Sequence, residues 1–185
     1  MNRLILASAS PRRRELLARL GVVFEVAPAG IDETPDSDET PVQTAERLAR
    51  EKAAAMTRAD CAVLGADTVV VHAGRILGKP RDASAAADML ACLSNGEHEV
   101  VTGIALAVGE VTHSTAVVTR VWFRRIAAAE RERYAATEET LGAAGAYAVQ
   151  GGAAPFVTRL TGSYSNVVGL PLAETLRLLH RAGLA

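Results

Sequence analysis

Hydrophobic and polar positions follow two rhythms along the chain, and the changes between them mark the elements. Leu4-Ile5-Leu6-Ala7 is a short continuous apolar run, as expected of a buried strand. Ser8-Ala9-Ser10 is a small-residue turn, and Pro11 then opens a helix to about residue 20, stopped by Gly21. Ser10 suits the N-cap and Pro11 the first helical position. Residues 22–26 read as a second strand and the acidic stretch 29–40 as a loop. Thr40 caps a second helix that runs to about residue 57. At about 100° per residue its Val42, Ala45, Leu48, Ala49, Ala53 and Met56 form one apolar stripe. Residues 62–71 are apolar and β-branched, which predicts a central strand. Asp82 caps a third helix with Ala85, Ala86, Met89, Leu90 and Leu93 inward.

Residues 100–108 and 111–123 then read as a hairpin turning near Gly109-Glu110, with period-two alternation in the second arm. A helix over 127–136, a Gly/Ala-rich loop over 142–152 and a short strand over 156–160 follow. Residues 162–166 read as a polar loop. Pro171 opens the last helix, with Leu172, Leu176 and Leu179 expected inside. The order of elements predicts an α/β fold. No repeat or linker divides it, so residues 1–185 are expected to form a single domain.

Composition narrows the class. Hydrophobic residues at 49% and charged residues at 22% describe a folded globular chain. No apolar run approaches the roughly 18 residues a membrane helix needs. The first apolar stretch is too short for a signal peptide and meets an arginine cluster at once, so the expected location is the cytoplasm. Cys61 and Cys92 have apolar neighbours and no metal-ligand spacing, and are expected to be buried free thiols. A net charge of −1 argues against a general nucleic-acid binder and for a small anionic ligand at a local basic site.

That local site is at the first helix. Arg12, Arg13 and Arg14 crowd a first turn that normally prefers acids, each at a cost of roughly 0.3–1 kcal/mol. A docked anion removes the conflict, because backbone N–H groups, the Ser8 and Ser10 hydroxyls and the arginine forks can converge on a phosphate. A solvated basic patch is the alternative, and it suits Arg14 and Arg19. Only Lys52 and Lys79 among twenty basic residues are lysine. They are candidates for positions that need a compact ammonium. Lys52 falls inside the apolar stripe of its helix, whereas Arg47, Arg50 and Glu51 read as ordinary surface. Gly65 and Asp67 interrupt an apolar strand, and the aspartate is costly there unless a cation meets it. It is therefore a candidate general base or metal ligand. Asp32 and Glu33 sit at a strand end, where α/β sheets present ligand-facing loops. Thr68 is expected on the opposite face from Asp67. His98 and His113 are not spaced as ligands and read as structural.

Taken together, several motifs resemble the Maf family of nucleoside triphosphate pyrophosphatases. They are Ala7-Ser8-Ala9-Ser10-Pro11-Arg12-Arg13, Ala49-Arg50-Glu51-Lys52-Ala53, Gly65-Ala66-Asp67-Thr68-Val69 and Gly78-Lys79-Pro80-Arg81-Asp82. Gly145-Ala146-Tyr147 with Gln150-Gly151, and Gly162-Ser163-Tyr164 through Gly169-Leu170-Pro171-Leu172, complete the set. The resemblance implies an elongated mixed sheet with flanking helices and two lobes around a central cleft, similar to inosine triphosphate pyrophosphatases. It implies a divalent cation, Mg²⁺ or Mn²⁺, held by Asp67 and Glu33, and Asp67 as proton acceptor with Lys52, Lys79 and Glu33 beside it. Ser8, Ser10, Arg12 and Arg13 would bind substrate. A branch of the family that prefers 7-methyl-GTP carries Trp, Gln and Glu where this chain has Arg12, Thr68 and Gln150. These three positions therefore resemble the dTTP/UTP branch. Gly142-Ala143 departs from the Asp-Lys the family often has there, and Ala148 from a common Gly. The resemblance also suggests a homodimer, while the net charge and the short apolar runs lead to the expectation of no nucleic-acid or membrane partner. A non-catalytic nucleotide-binding regulator of septum formation is the competing reading. It needs the cations but has no use for a carboxylate buried beside them.

Overall fold

The computed structural model describes residues 3–58 and 60–185. In chain order the elements are β1 (Arg3–Leu6), α1 (Pro11–Ala18), β2 (Phe24–Val26), α2 (Pro41–Ala55), β3 (Cys61–His72), β4 (Arg75–Leu77) and α3 (Ala83–Leu93). There follow β5 (Glu97–Val108), β6 (Val111–Phe123), α4 (Ala128–Ala135), α5 (Glu138–Leu141), β7 (Val157–Thr161), α6 (Tyr164–Val168) and α7 (Leu172–Arg181). Among the described residues the sheet has seven strands in the order β2-β1-β3-β5-β6-β7, with β4 also on β3. It is mixed: β1 pairs parallel with β2 and β3, while β4 and β7 pair antiparallel with β3 and β6. The architecture is the expected α/β one, with helices flanking a mixed sheet.

The chain forms two compact units. The first comprises residues 1–68, 102–117 and 169–185, and the second comprises residues 69–101 and 118–168. The strands β3, β5 and β6 each give one stretch to either unit.

In the first unit α2 lies unusually close to the sheet. A Cβ on Gly65 of β3 would run into the Ala49 carbonyl and come 2.7 Å from Ala53 N. One on Gly103 of β5 would run into the Ala45 carbonyl. Two glycines on neighbouring strands thus let helix backbone rest on strand backbone. Ala49, Ala53, Val63, Ala105 and Ala107 fill the small space that remains, with Ile5, Ala7 and Cys61. The helix start is fixed by a reciprocal cap: Gln43 N donates to Thr40 Oγ1, and Thr40 N donates to Gln43 Oε1.

The second unit packs larger side chains. Leu90, Leu93, Val121, Phe123, Tyr134, Tyr147 and Phe156 form its core. Phe123 stands edge-to-face with His98, Tyr147 and Phe156. His98 is buried there, with Nε2 2.8 Å from the Tyr147 hydroxyl. Burial holds its pKa down to about 4 and raises that of Tyr147. His98 is structural, as the sequence suggested.

Four local expectations are corrected. Residues 164–168 are helical rather than loop, because Ser163 Oγ accepts from Asn166 N and caps the turn. The short α5 was not anticipated, since four residues are too few to show a period. Val42 is exposed, and Leu172 and Leu176 are half-buried. Thr44 and Thr175 take buried places in those helices instead, with each hydroxyl donating to the carbonyl four residues back. Cys61 is buried, but Cys92 is exposed on the outer side of α3. No described helix is long and apolar enough to cross a membrane.

Candidate active site

The close seat of α2 decides where Lys52 goes. Gly65 and Asp67 lie two apart on β3 and so face the same side. Lys52 is one turn from Ala49 and next to Ala53, the residues that touch Gly65. Its ammonium therefore arrives over Asp67. Nζ lies 2.7 Å from Asp67 Oδ1 and 2.6 Å from Glu33 Oε1. Lys52 and Asp67 are both buried, and Glu33 is exposed. The cation that makes Asp67 tolerable in an apolar strand is thus the lysine that had no reason to be in an apolar stripe.

Glu33 reaches this point because its loop is tied down. Asp32 Oδ1 accepts from Thr34 N and Thr34 Oγ1, which holds that carboxyl below its usual pKa range. Arg47 Nη2 donates to the Thr34 carbonyl, and Arg47 also pairs with Glu39 and Glu51. Sequence reasoning took Arg47 for ordinary surface. The only available signal was its spacing to Glu51, which says nothing about a loop thirteen residues earlier.

Arg13 makes the second part of the site. Ser10 caps α1, accepting from Arg13 N, so the arginine sits in the first turn where it was expected. Three of its five N–H groups donate to neutral oxygens: Nε to the Gly169 carbonyl at 2.8 Å, Nη1 to Ser8 Oγ at 3.2 Å and Nη2 to Thr68 Oγ1 at 2.9 Å. Burial lowers its pKa from the ordinary value, and the negative charges of Asp67 and Glu33 offset this only in part. A desolvated guanidinium on neutral acceptors has an unmet demand for negative charge, which an anion would satisfy. Ser8 is buried beside it, and its hydroxyl also accepts from Ser10 N. Arg12 is half-buried in the same turn. Thr68 faces away from Asp67, and its hydroxyl meets both Arg13 and Thr102 Oγ1, the latter at 2.9 Å. Thr102 and the Gly169 carbonyl were not anticipated. Thr102 is a buried strand residue like any other in sequence, and a carbonyl carries no residue signature.

The second unit holds the other two sequence candidates. Lys79 is exposed on the loop after β4. Gly145 N donates to the Gly78 carbonyl at 3.0 Å, tying that loop to the Gly145-Ala146-Tyr147 stretch. Gln150 is exposed in the turn that follows. Ala143, where the family often has Lys, is buried.

The Maf-like protein family model matches residues 3–182. The chain belongs to the Maf family. A dTTP/UTP pyrophosphatase of Vibrio cholerae is 46% identical over 184 residues, covering 98% of each chain. One of Pelotomaculum thermopropionicum is 49% identical and covers 99% of this chain and 98% of its own. One of Salmonella typhimurium is 50% identical, covering 97% and 92%. Among solved structures, a nucleoside-triphosphatase/dITP/XTP pyrophosphatase from Mycobacterium abscessus is similar at 18% identity and a TM-score of 0.46, over 97% of this chain and 94% of that one.

In this Maf chain, the described residues hold no cluster of three or more His, Cys, Asp or Glu side chains. Two carboxylates converge instead, Glu33 and Asp67, each with one oxygen on Lys52. Oxygen donors in that number fit Mg²⁺ or Mn²⁺, which take one or two carboxylates and complete their shell with water and substrate phosphates.

Proposed function

We propose that this chain hydrolyses UTP and dTTP to the nucleoside monophosphate and pyrophosphate. The observation that carries the reading is the buried Asp67–Lys52 contact, shared with Glu33 and within electrostatic reach of the desolvated Arg13. The relatives named dTTP/UTP pyrophosphatase over nearly the full length support it. Phosphoanhydride hydrolysis needs cations for the phosphates and a carboxylate to handle water. Asp67 orients the water and takes its proton. The water oxygen bonds the α-phosphorus, the bond to the bridging oxygen breaks, and pyrophosphate leaves with the electron pair. Lys52 fixes the carboxylate oxygens of Asp67 and Glu33 and screens their mutual repulsion. Arg12, Arg13, Ser8 and Ser10 bind phosphate oxygens, and Lys79 adds a further cation. Glu33 and Asp67 would hold Mg²⁺ or Mn²⁺, which when bound neutralises phosphate charge.

Base choice falls to Arg12, Thr68 and Gln150. A glutamine amide offers a donor and an acceptor, matching the O4 and N3–H of uracil and thymine. A glutamate would suit the donor-rich edge of 7-methylguanine instead. Since the Thr68 hydroxyl is engaged by Arg13 and Thr102, Thr68 acts on substrate through Arg13. The same reading places the protein in the cytoplasm, as a homodimer, with a nucleotide as its partner.

The test is pyrophosphate release from UTP, dTTP, CTP and 7-methyl-GTP, with and without Mg²⁺ or Mn²⁺. Metal-dependent release that is fastest with UTP and dTTP is expected. Nucleotide binding without release would favour the regulator, and preference for 7-methyl-GTP would favour the other branch.

A further inference from the structure

The turn that carries Gln150 is strapped at both ends to one pair of side chains. Tyr134, buried in α4, donates its hydroxyl proton to Glu139 Oε2 at 2.5 Å and accepts from Ala148 N at 3.1 Å. The same carboxylate oxygen accepts from Gly152 N at 3.0 Å. The amides two residues before and two residues after Gln150 therefore end on a single phenol–carboxylate unit. The short O–H···O⁻ contact is of the strong, charge-assisted kind. Steric evidence agrees. A Cβ on Gly151 would run into the Glu139 carboxylate, and one on Gly152 would come 2.7 Å from the Tyr134 ring. The two glycines after Gln150 are the space that this pair occupies. Val149 is buried in the same core as Tyr134, whereas the Gln150 side chain is exposed.

We propose that Tyr134 and Glu139 are positioning residues that hold the Gln150 amide in its base-reading orientation, and so help set nucleobase selectivity. The inference rests on the reading of Gln150 as a base contact. Neither residue touches substrate. Their contribution is to keep the donor and acceptor of the amide from swinging with a flexible Gly-rich turn, which would otherwise add an ordering cost to each binding event.

The experiment compares kcat/KM for UTP and 7-methyl-GTP in wild type, Tyr134→Phe, Glu139→Gln, Gln150→Ala and the double variants with Gln150→Ala. Tyr134→Phe keeps the ring against Phe156 and removes both hydroxyl contacts. It should lower the ratio of UTP to 7-methyl-GTP by about fivefold, mainly through KM for UTP. Glu139→Gln keeps one acceptor and should lower it less. In the Gln150→Ala background neither change should move the ratio further, because what they position is gone. Amide exchange at Ala148 and Gly152 should quicken in Tyr134→Phe. If Tyr134→Phe is too unstable to assay, Glu139→Gln carries the same comparison. An unchanged ratio in Gln150→Ala would overturn the base-contact reading and this inference with it. A ratio changed by Gln150→Ala but not by Tyr134→Phe or Glu139→Gln, or effects that simply add in the doubles, would overturn the positioning role alone.

Discussion

Asp67 and Glu139 are carboxylates held at similar distances in different units, and what holds them differs. Glu139 meets a phenol hydroxyl and a backbone amide. Both are neutral donors, and together they fix a turn. Asp67 meets an ammonium that Glu33 also claims. At formal charges that trio carries one net negative charge beside a guanidinium whose hydrogen bonds, among the described residues, go to neutral oxygens. The first arrangement is complete in itself. The second crowds two carboxylates, an ammonium and a guanidinium together, the kind of charged cluster that marks a candidate functional site. A buried carboxylate is therefore informative about chemistry only once its donors are known.

The contrast can be broken most severely at Lys52. Replacing it with Met should leave two carboxylates facing each other and lower kcat/KM for UTP by about 10³-fold. Lys52→Arg keeps the charge but not the compact ammonium, and a displaced carboxylate should still cost about 10²-fold in kcat. Lys79→Arg should also lower activity. Full activity in both Lys→Arg variants would show that these positions ask only for positive charge. A smaller effect is expected at Thr102→Val, which is nearly isosteric and removes one partner of the Thr68 hydroxyl. Arg13 then loses part of its support, and KM for UTP should rise about threefold with kcat nearly unchanged. An equal fall in kcat would place this threonine in the chemistry rather than in binding.

The smallest effect belongs to the aromatic core of the second unit. His98 is neutral in the fold, with a pKa near 4 against an ordinary 6.5, because burial disfavours the charged ring and His72 adds a minor push. The unfolded chain takes up a proton below about pH 6.5, so stability should fall as pH drops from 6.5 toward 4. His98→Gln keeps a hydrogen-bonding group for Tyr147 and does not titrate. Its Tm should fall less across that window, and parallel curves would show that His98 contributes nothing to acid lability.

Much of this was legible in the sequence where a local rule was strong. Ser10-Pro11, Thr40-Pro41 and Asp82 cap their helices as expected. The misfit of Lys52 in an apolar stripe and of Asp67 in an apolar strand each called for an opposite charge, although nothing in the sequence named the partner. What could not be read was long-range closeness. Gly65 looked like an interruption of a strand, whereas it is where a helix backbone rests. Nothing local marks Glu139 as the residue that fills the space left by Gly151. The polar stretch Ser163-Tyr164-Ser165-Asn166 hid a one-turn helix whose Asn166 turns inward to the Val100 carbonyl and Thr119. Each depends on which segments meet, and no periodicity encodes that.

The central claim is that Asp67 performs the chemistry while its surroundings bind the nucleotide. Asp67→Asn removes the charge at constant size, and Lys52 still has Glu33 at 2.6 Å. The decisive measurement is single-turnover hydrolysis of UTP by this variant at saturating nucleotide, alongside its directly titrated affinity for UTP. Turnover lower by about 10²- to 10⁴-fold, with affinity within a few-fold of wild type, is the predicted result. Turnover near wild type in the folded variant would contradict it.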